Sequence, residues 1–368
     1  MNIVRAWFRR YFSDPQVVIL ALLLVAGFAL VITFGNMLAP VLAGVVIAYL
    51  LEGFVGALER RHMPRMAAVL VVFLAFMLFL VFALFGLLPI LSNQLAQLLQ
   101  QLPTMIAKGQ HTLQRLPDLY PNFITSQQVS EIMAGIRGEL AAWGQHALSV
   151  SVASVVGLIA LLVYVVLVPV LVFFFLKDKD RILQWVSQYL PGERGLATVV
   201  WNDVNIQIGN YVRGKVWEIL IVGVTTYATF AIMGLQYAAL LATLVGFSVI
   251  IPYIGAAVVT VPVAVIAYFQ WGWGTEFAYL IIAYGIIQTL DGNILVPLLF
   301  SEVVNLHPVA IIVAVLVFGG IWGFWGVFFA IPLATLVQAV LKAWPRGPIE
   351  QSEPETRTET PVQTAAKR

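Results

Sequence analysis

Asp291 is the residue whose surroundings most demand a chemical account. It stands with Gln288, Gly292, Asn293 and Pro297 inside the otherwise apolar run Phe277 to Phe300. An ionisable residue deep in a membrane span costs on the order of 3 kcal/mol even on lenient insertion scales, which makes it a functional candidate by default. A carboxyl there can pick up a proton or a sodium ion on one side and release it on the other. A polar loop joining two short helices is the plainer reading of the same residues. A second interruption lies upstream, where Gly246-Phe247-Ser248 leads into Ile251-Pro252-Tyr253-Ile254-Gly255 and Pro262 follows. Proline removes a backbone donor and glycine tolerates unusual dihedrals, so Pro252 and Gly255, like Gly292 and Pro297, read as helix breaks. A kink or hairpin turn at the membrane face is equally open at Pro252. Backbone groups freed at membrane depth must be covered by protein or line a wet cavity. Two interrupted segments in one tract form the pattern expected where transporters bind their substrate. Asp291, Asn293, Gln288 and Tyr253 are therefore the candidate solute- or ion-binding residues.

Other chemistry is hard to find. The chain has no cysteine, which excludes disulfides, thiolate metal sites and a cysteine nucleophile. His62, His111, His146 and His307 are scattered without metal-ligand spacing, so no metal is expected. Gly320, Gly323 and Gly326 beside Trp322 and Trp325 lack the preceding strand and following Lys of a phosphate loop, and read as close helix packing. Zinc-protease and serine-elbow motifs are absent, and so is an ATP-binding motif. No enzyme activity and no cofactor are expected. A net charge of +2 is too small for the concentrated basic face of a nucleic-acid partner.

The elements that must hold these residues follow from composition. Of 368 residues 61% are apolar and only 10% charged, against about 25% in a soluble domain. The chain is an all-α polytopic membrane protein. Apolar runs cover Val17 to Phe34, Met37 to Leu51, Met66 to Leu91 and Val150 to Leu176, before a nearly continuous tract from Ile219 to Trp344. The first run is longer than a signal-peptide core and ends without a cleavage site, so it reads as a retained helix. Basic clusters at Arg5, Arg9 and Arg10, at Arg60, Arg61 and Arg65, and at Lys177, Lys179 and Arg181 are each separated by two spans. By the positive-inside rule all three are cytoplasmic, as are both termini. No Lys or Arg lies between Glu218 and Lys342, whose flanks both read cytoplasmic, so this tract crosses an even number of times. Four crossings fit best: Ile219 to Leu235, Tyr237 to about Phe269, Phe277 to Phe300 and Val309 to about Val340. The second and fourth exceed one comfortable span, so they tilt or contain broken and re-entrant pieces.

The resulting organisation is N-terminal membrane helices over 1–91, a periplasmic helical segment over 92–147 and a fourth membrane helix over 148–176. Cytoplasmic amphipathic helices over 177–218, a C-terminal membrane transport region over 219–344 and a disordered tail over 345–368 follow. In the periplasmic segment, Leu95, Leu98, Leu99 and Leu102 and then Ile132, Met133, Ile136 and Leu140 mark two helices around a turn region at Pro103, Pro117 and Pro121. Trp271-Gly272-Trp273-Gly274 before Glu276 reads as an interfacial anchor, and Glu302, Asn305 and His307-Pro308 as a loop or helix cap.

Several of these stretches resemble one family. Val245-Gly246-Phe247-Ser248 through Gly255, Asp291 through Pro297, and Leu306-His307-Pro308 before the Gly319-Gly320 to Pro332 helix are similar to the autoinducer-2 exporter family, in its Gram-negative permease branch. Phe173 to Asp178 and Tyr211-Val212-Arg213-Gly214-Lys215 extend the likeness, which runs from about Phe12 to Trp344. The resemblance implies a bacterial inner-membrane protein with about eight transmembrane helices, broken or re-entrant in the C-terminal half, and a homo-oligomer, a pentamer in some relatives. Family exporters move a small sugar-like signalling molecule and other members resemble cation-proton antiporters. The expected function is secondary transport of a small polar solute across the lipid bilayer, ion-coupled through Asp291. The alternative is a membrane scaffold that docks envelope proteins through its periplasmic segment.

Overall fold

The computed structural model describes residues 15–114, 154–191, 195–252, 254–300 and 306–343, with 127, 134 and 135 besides. Among the described residues the regular structure is entirely helical. The clusters at Arg5 to Arg10, the helix expected over Ile132 to Leu140 except for 134 and 135, Tyr253, Glu302, Asn305 and the tail from 345 lie outside them.

Helix α1, Pro15–Glu59, has 45 residues, more than twice what a bilayer requires. If straight, it would hold Gln16 and Tyr49 about 50 Å apart. Both nevertheless reach the first half of α6, Gly195–Ile232. Gln16 Oε1 accepts from the Leu196 amide, and Tyr49 Oη donates to Asn205 Oδ1 at 2.9 Å. Those contacts and the short stretch of α6 between them cannot bridge such a distance, so α1 doubles back. The two spans expected here are joined inside one helical run, dividing at Asn36 into Pro15–Gly35 and Met37–Glu59.

After the turn at His62, α2 (Arg65–Phe82) passes through a widened π-turn (Ala83–Leu87) directly into α3 (Leu88–Gln114). Pro103, expected to mark a turn, sits inside α3. An extended leucine face explains why the helix continues: Leu98 and Met105 pack on the C-terminal core, and Gln94 Oε1 accepts from the Leu240 amide. Helix α4 (Ser154–Lys177) lies against α1, with Val168, Val172 and Leu176 meeting Ala48, Val55, Ala68 and Val69 in a purely apolar core. A short amphipathic α5, Lys179–Gln188, follows.

Helix α6 joins the cytoplasmic amphipathic set and the first C-terminal span into one 38-residue rod, so the boundary expected at Glu218 falls within a helix. At its upper end a turn leads to α7 (Ala238–Ser248), which descends against α6 so closely that Gly246 faces Gly223. The chain turns over residues 249 to 252 and climbs again as α8, Ile254–Trp271. Gln270 then bridges the two upper turns: its Nε2 donates to the Gly234 carbonyl and its Oε1 accepts from the Gln236 amide, both at 2.8 Å. The run from Tyr237 to Phe269 therefore ends where it began. It is a hairpin, the broken form that its length left open.

Helix α9 (Thr275–Leu290), a second π-turn (Asp291–Leu295) and α10 (Val296–Phe300) descend without a break, until Phe300 packs on Tyr211 and Val212 of α6. His307 Nδ1 accepts from the Val309 amide to cap α11 (Pro308–Trp322), with Pro308 at the first helical position. Gly323, at φ +59°, stops that helix in a conformation few other residues tolerate. The short α12 (Phe324–Phe328) and α13 (Ala330–Ala343) bring the chain back. Ala339 packs on Val200 and Val204, at the lower end of α6. Among the described residues the tract is thus two long helical runs, α6 and α9 with α10, and two hairpins, the broken form left open by the length of its second and fourth stretches. The even count required by its charged flanks is kept. Hydropathy does not tell these apart, because a buried hairpin and a crossing are equally apolar.

Candidate functional site

The two hairpins enter from opposite ends and meet side by side, with Ile251 at the tip of the first packed among Ala314, Val315, Phe318 and Val327 of the second. The tip exists because α7 ends at Ser248 and Gly255 lets the returning chain press on it. A Cβ at Gly255 would overlap the Ser248 carbonyl oxygen. Pro252 occupies the turn itself, and its carbonyl accepts from the Ile254 amide at 2.7 Å. Such a tip exposes carbonyls that no helix partner satisfies.

One of these carbonyls has a charged partner. Lys215 Nζ donates to the Val249 oxygen at 2.8 Å and pairs with Glu218 Oε2 at 2.6 Å. Both side chains are buried, at 4% and 2% exposure, and sit one turn apart on α6. The Lys215 ammonium also lies 5.1 Å from the Phe300 ring centroid, which walls the cluster below. Gly214 makes room for that ring, since a Cβ there would stand 2.8 Å from Phe300 Cε1. Lys215 thus neutralises Glu218 and caps the negative end of α7 at once.

Asp291 joins this cluster from the other side, close enough for Lys215 and Glu218 to act on it electrostatically. Its Oδ1 is buried without a hydrogen-bond partner, as is Nε2 of Gln288, three residues earlier on the same helix. Reading along the chain finds no cation near Asp291, because the fold supplies Lys215 from 76 positions away. The spacing Lys215–Glu218 at i,i+3 beside an apolar tract is the available signal, and by position alone it marks only the end of the cytoplasmic segment.

The other candidates are placed differently. Asn293 is exposed, and its Nδ2 donates back to the Thr289 carbonyl at 2.9 Å. Gly292 faces open space, and Pro297 is exposed. Neither breaks the helix. The chain remains helical from Thr275 to Phe300, and the π-turn absorbs the disturbance: the Val296 amide bonds to the Asp291 carbonyl five residues back, just before Pro297, which has no N–H. Among the described residues no group of three or more His, Asp and Glu is placed to hold a metal ion.

Among the described residues six helical stretches are long and apolar enough to cross a membrane, and shorter apolar helices accompany them. Large apolar side chains face outward along these helices, Leu74 at 64% and Leu78 at 72% exposure, where only lipid or another chain would accept them. The molecule is an all-α, multi-pass membrane protein. A family model described as AI-2E family transporter matches residues 18–346. The chain is 48% identical to the Escherichia coli (strain K12) protein named "Putative permease PerM", covering 95% of this chain and 99% of that one. It is 26% identical to "Putative transport protein YueF" of Bacillus subtilis (strain 168), over 84% of each. The protein belongs to the AI-2E transporter family, and it is a membrane transport protein.

Proposed function

We propose that the protein is a secondary transporter of a small polar solute, coupled to a monovalent cation at the Lys215, Glu218 and Asp291 cluster. The observation that carries this is the burial of the Lys215–Glu218 pair, with the half-buried Asp291 beside it, where the tip of one hairpin meets a long helix. Discontinuous helices and intramembrane carboxyls are the general means by which transporters hold solute and ion near the middle of the bilayer. With one ammonium and two carboxylates the cluster carries a net negative formal charge, so it favours a neutral or cationic occupant over an anion. The lack of an ATP-binding motif leaves an ion gradient or a partner as the energy source.

The reading extends to an inner-membrane location with both termini cytoplasmic, supported by the parity of the basic clusters, and to a homo-oligomer, for which the family resemblance is the support. A cysteine at Lys108→Cys should react with an impermeant thiol reagent in intact spheroplasts; labelling only after permeabilisation would reverse the orientation. Transport is tested with purified protein in proteoliposomes against a panel of small polar metabolites, with and without a proton or sodium gradient. Gradient-dependent uptake of at least one solute is expected. Asp291→Asn should still bind that solute and lose its response to the gradient. An unchanged pH and sodium dependence in Asp291→Asn would remove Asp291 from the coupling step.

A further inference from the structure

Lys215 joins two things that a transporter must keep in step. Its ammonium touches Glu218 on α6 and the Val249 carbonyl at the tip of the first hairpin, 2.6 Å and 2.8 Å away. Apart from these polar links the tip is held by apolar packing around Val249, Ile250 and Ile251. At the other end, Gln270 ties both upper turns together. The hairpin is therefore fixed at its base by side-chain hydrogen bonds and, among the described residues, at its tip by one lysine beside apolar packing.

We propose that Lys215 is a latch, holding the tip of the α7–α8 hairpin while Glu218 is ionised and unoccupied, and releasing Val249 when a monovalent cation loads at Glu218 and Asp291. This rests on the ion-coupled reading above and adds the residue that converts loading into movement. A proton on Glu218, or a sodium ion between the carboxylates, removes the attraction that orients the ammonium. Asp291, with an unpartnered oxygen, is the other carboxylate on which Lys215 acts electrostatically. Lys215 has three donors on a flexible stem and re-aims toward Asp291 when that carboxylate remains free, or loses its local partner when both are occupied. Either way its bond to Val249 is given up.

The elements around the cluster offer few competing charges. On α6 itself Tyr211 stands beneath Lys215, with its ring centroid 6.0 Å from the ammonium, and Arg213 bonds Asn210. Helix α7 has no titratable side chain, and neither has α10 or α11. Helix α8 has only Tyr268 near its far end and α13 only Lys342 in its last turn. On α9, Tyr284 shares a hydrogen bond with Thr260, and Glu276 and Tyr279 lie at the start of the helix. On α1, Tyr49 bonds Asn205, Glu52 pairs with Arg65 and Lys179, and Glu59 pairs with Arg65.

Because the chain has no cysteine, a single introduced thiol reports on one place. Ile250 is 3% exposed beside Val249, whereas Thr275 is exposed at the upper end and serves as the reference. Full-length Ile250→Cys and Thr275→Cys proteins in liposomes would be labelled with a methanethiosulfonate reagent, at varied pH without sodium and at varied sodium at about pH 8, where an ordinary carboxyl is ionised. Relative to Thr275→Cys, the rate at Ile250→Cys should rise about tenfold on loading, the size of an ordinary coupling between sites. A rise with acid alone identifies the proton, and a rise with sodium in the alkaline buffer identifies sodium. Glu218→Gln should label fast under all conditions. Should that variant fail to fold, Asp291→Asn is the second arm and should move the midpoint of the response. A flat ratio in the parent, or a response unchanged in Asp291→Asn, overturns the latch. No transport is needed for this readout, so gradient-driven uptake with a flat labelling ratio defeats the latch alone. Labelling that responds in a protein that moves no solute defeats the transport reading alone.

Discussion

The two halves of the molecule handle charge in opposite ways. In the N-terminal half, Arg65 meets Glu52 and Glu59, Lys179 meets Glu52, and the Arg65 guanidinium also donates to the Leu176 carbonyl. All of these groups are partly exposed and gather where α1, α2 and α4 end, leaving a core of Ala48, Val55, Val69, Val72 and Val172 free of polar side chains. In the C-terminal half the ion pair is buried within the bundle, a helix is interrupted beside it and a carboxyl approaches from a third element. Both halves contain a π-turn, but Ala83–Leu87 is made of apolar residues and glycine whereas Asp291–Leu295 opens with the acid. A widened turn is thus only a place where a site can be built. The difference teaches that the N-terminal helices serve as a frame, with their charges at a rim that water can reach, and that the C-terminal tract holds charge where any change of partner must move protein.

That contrast can be broken by substitution. Glu218→Ala strands a buried lysine and should cost about 3–5 kcal/mol, the usual penalty for removing one partner of a buried pair. Thermal unfolding of the purified protein in detergent measures it; a change under about 1 kcal/mol would mean that water reaches the pair. A smaller loss is expected from Gly255→Val, which drives a side chain into the Ser248 carbonyl and should cost about 1–3 kcal/mol as an overpacked contact. It should also slow solute uptake, since the tip can no longer close on α7, and normal uptake would show that the turn has slack. The smallest effect belongs to the rim. Glu52→Gln should change stability by less than about 1 kcal/mol and leave uptake unaltered, as partly exposed pairs contribute little. Loss of uptake there would erase the distinction between frame and working part.

The fold class is legible because it follows from composition: 10% charge cannot cover 368 residues in water. Asp291 is legible for the same reason, as a lone charge in an apolar run. Direction is not. The stretch from Tyr237 to Phe269 is visibly too long for one comfortable span, but only the contact between Gln270 and the turn at Gly234 shows that it returns. Lys215 and Glu218 read as flank markers because they stand at the edge of the apolar tract, and sequence gives no measure of how far a helix is sheathed by its neighbours. Gly292 and Pro297 read as breaks by residue type, yet one extra residue in a helical turn accommodates both.

The clasp made by Gln270 has a mechanical consequence. It clamps the foot of the first hairpin, so that the hairpin behaves as a cantilever loaded at its free end. Helix α7, with 11 residues, is an arm of about 16 Å. Tilting such an arm by about 10° displaces its end by about 3 Å, which is enough to take a donor and an acceptor from bonding distance to none. Small angular play at the foot therefore becomes an all-or-none event at the end, and stiffness at Gln270 sets how much energy that event requires.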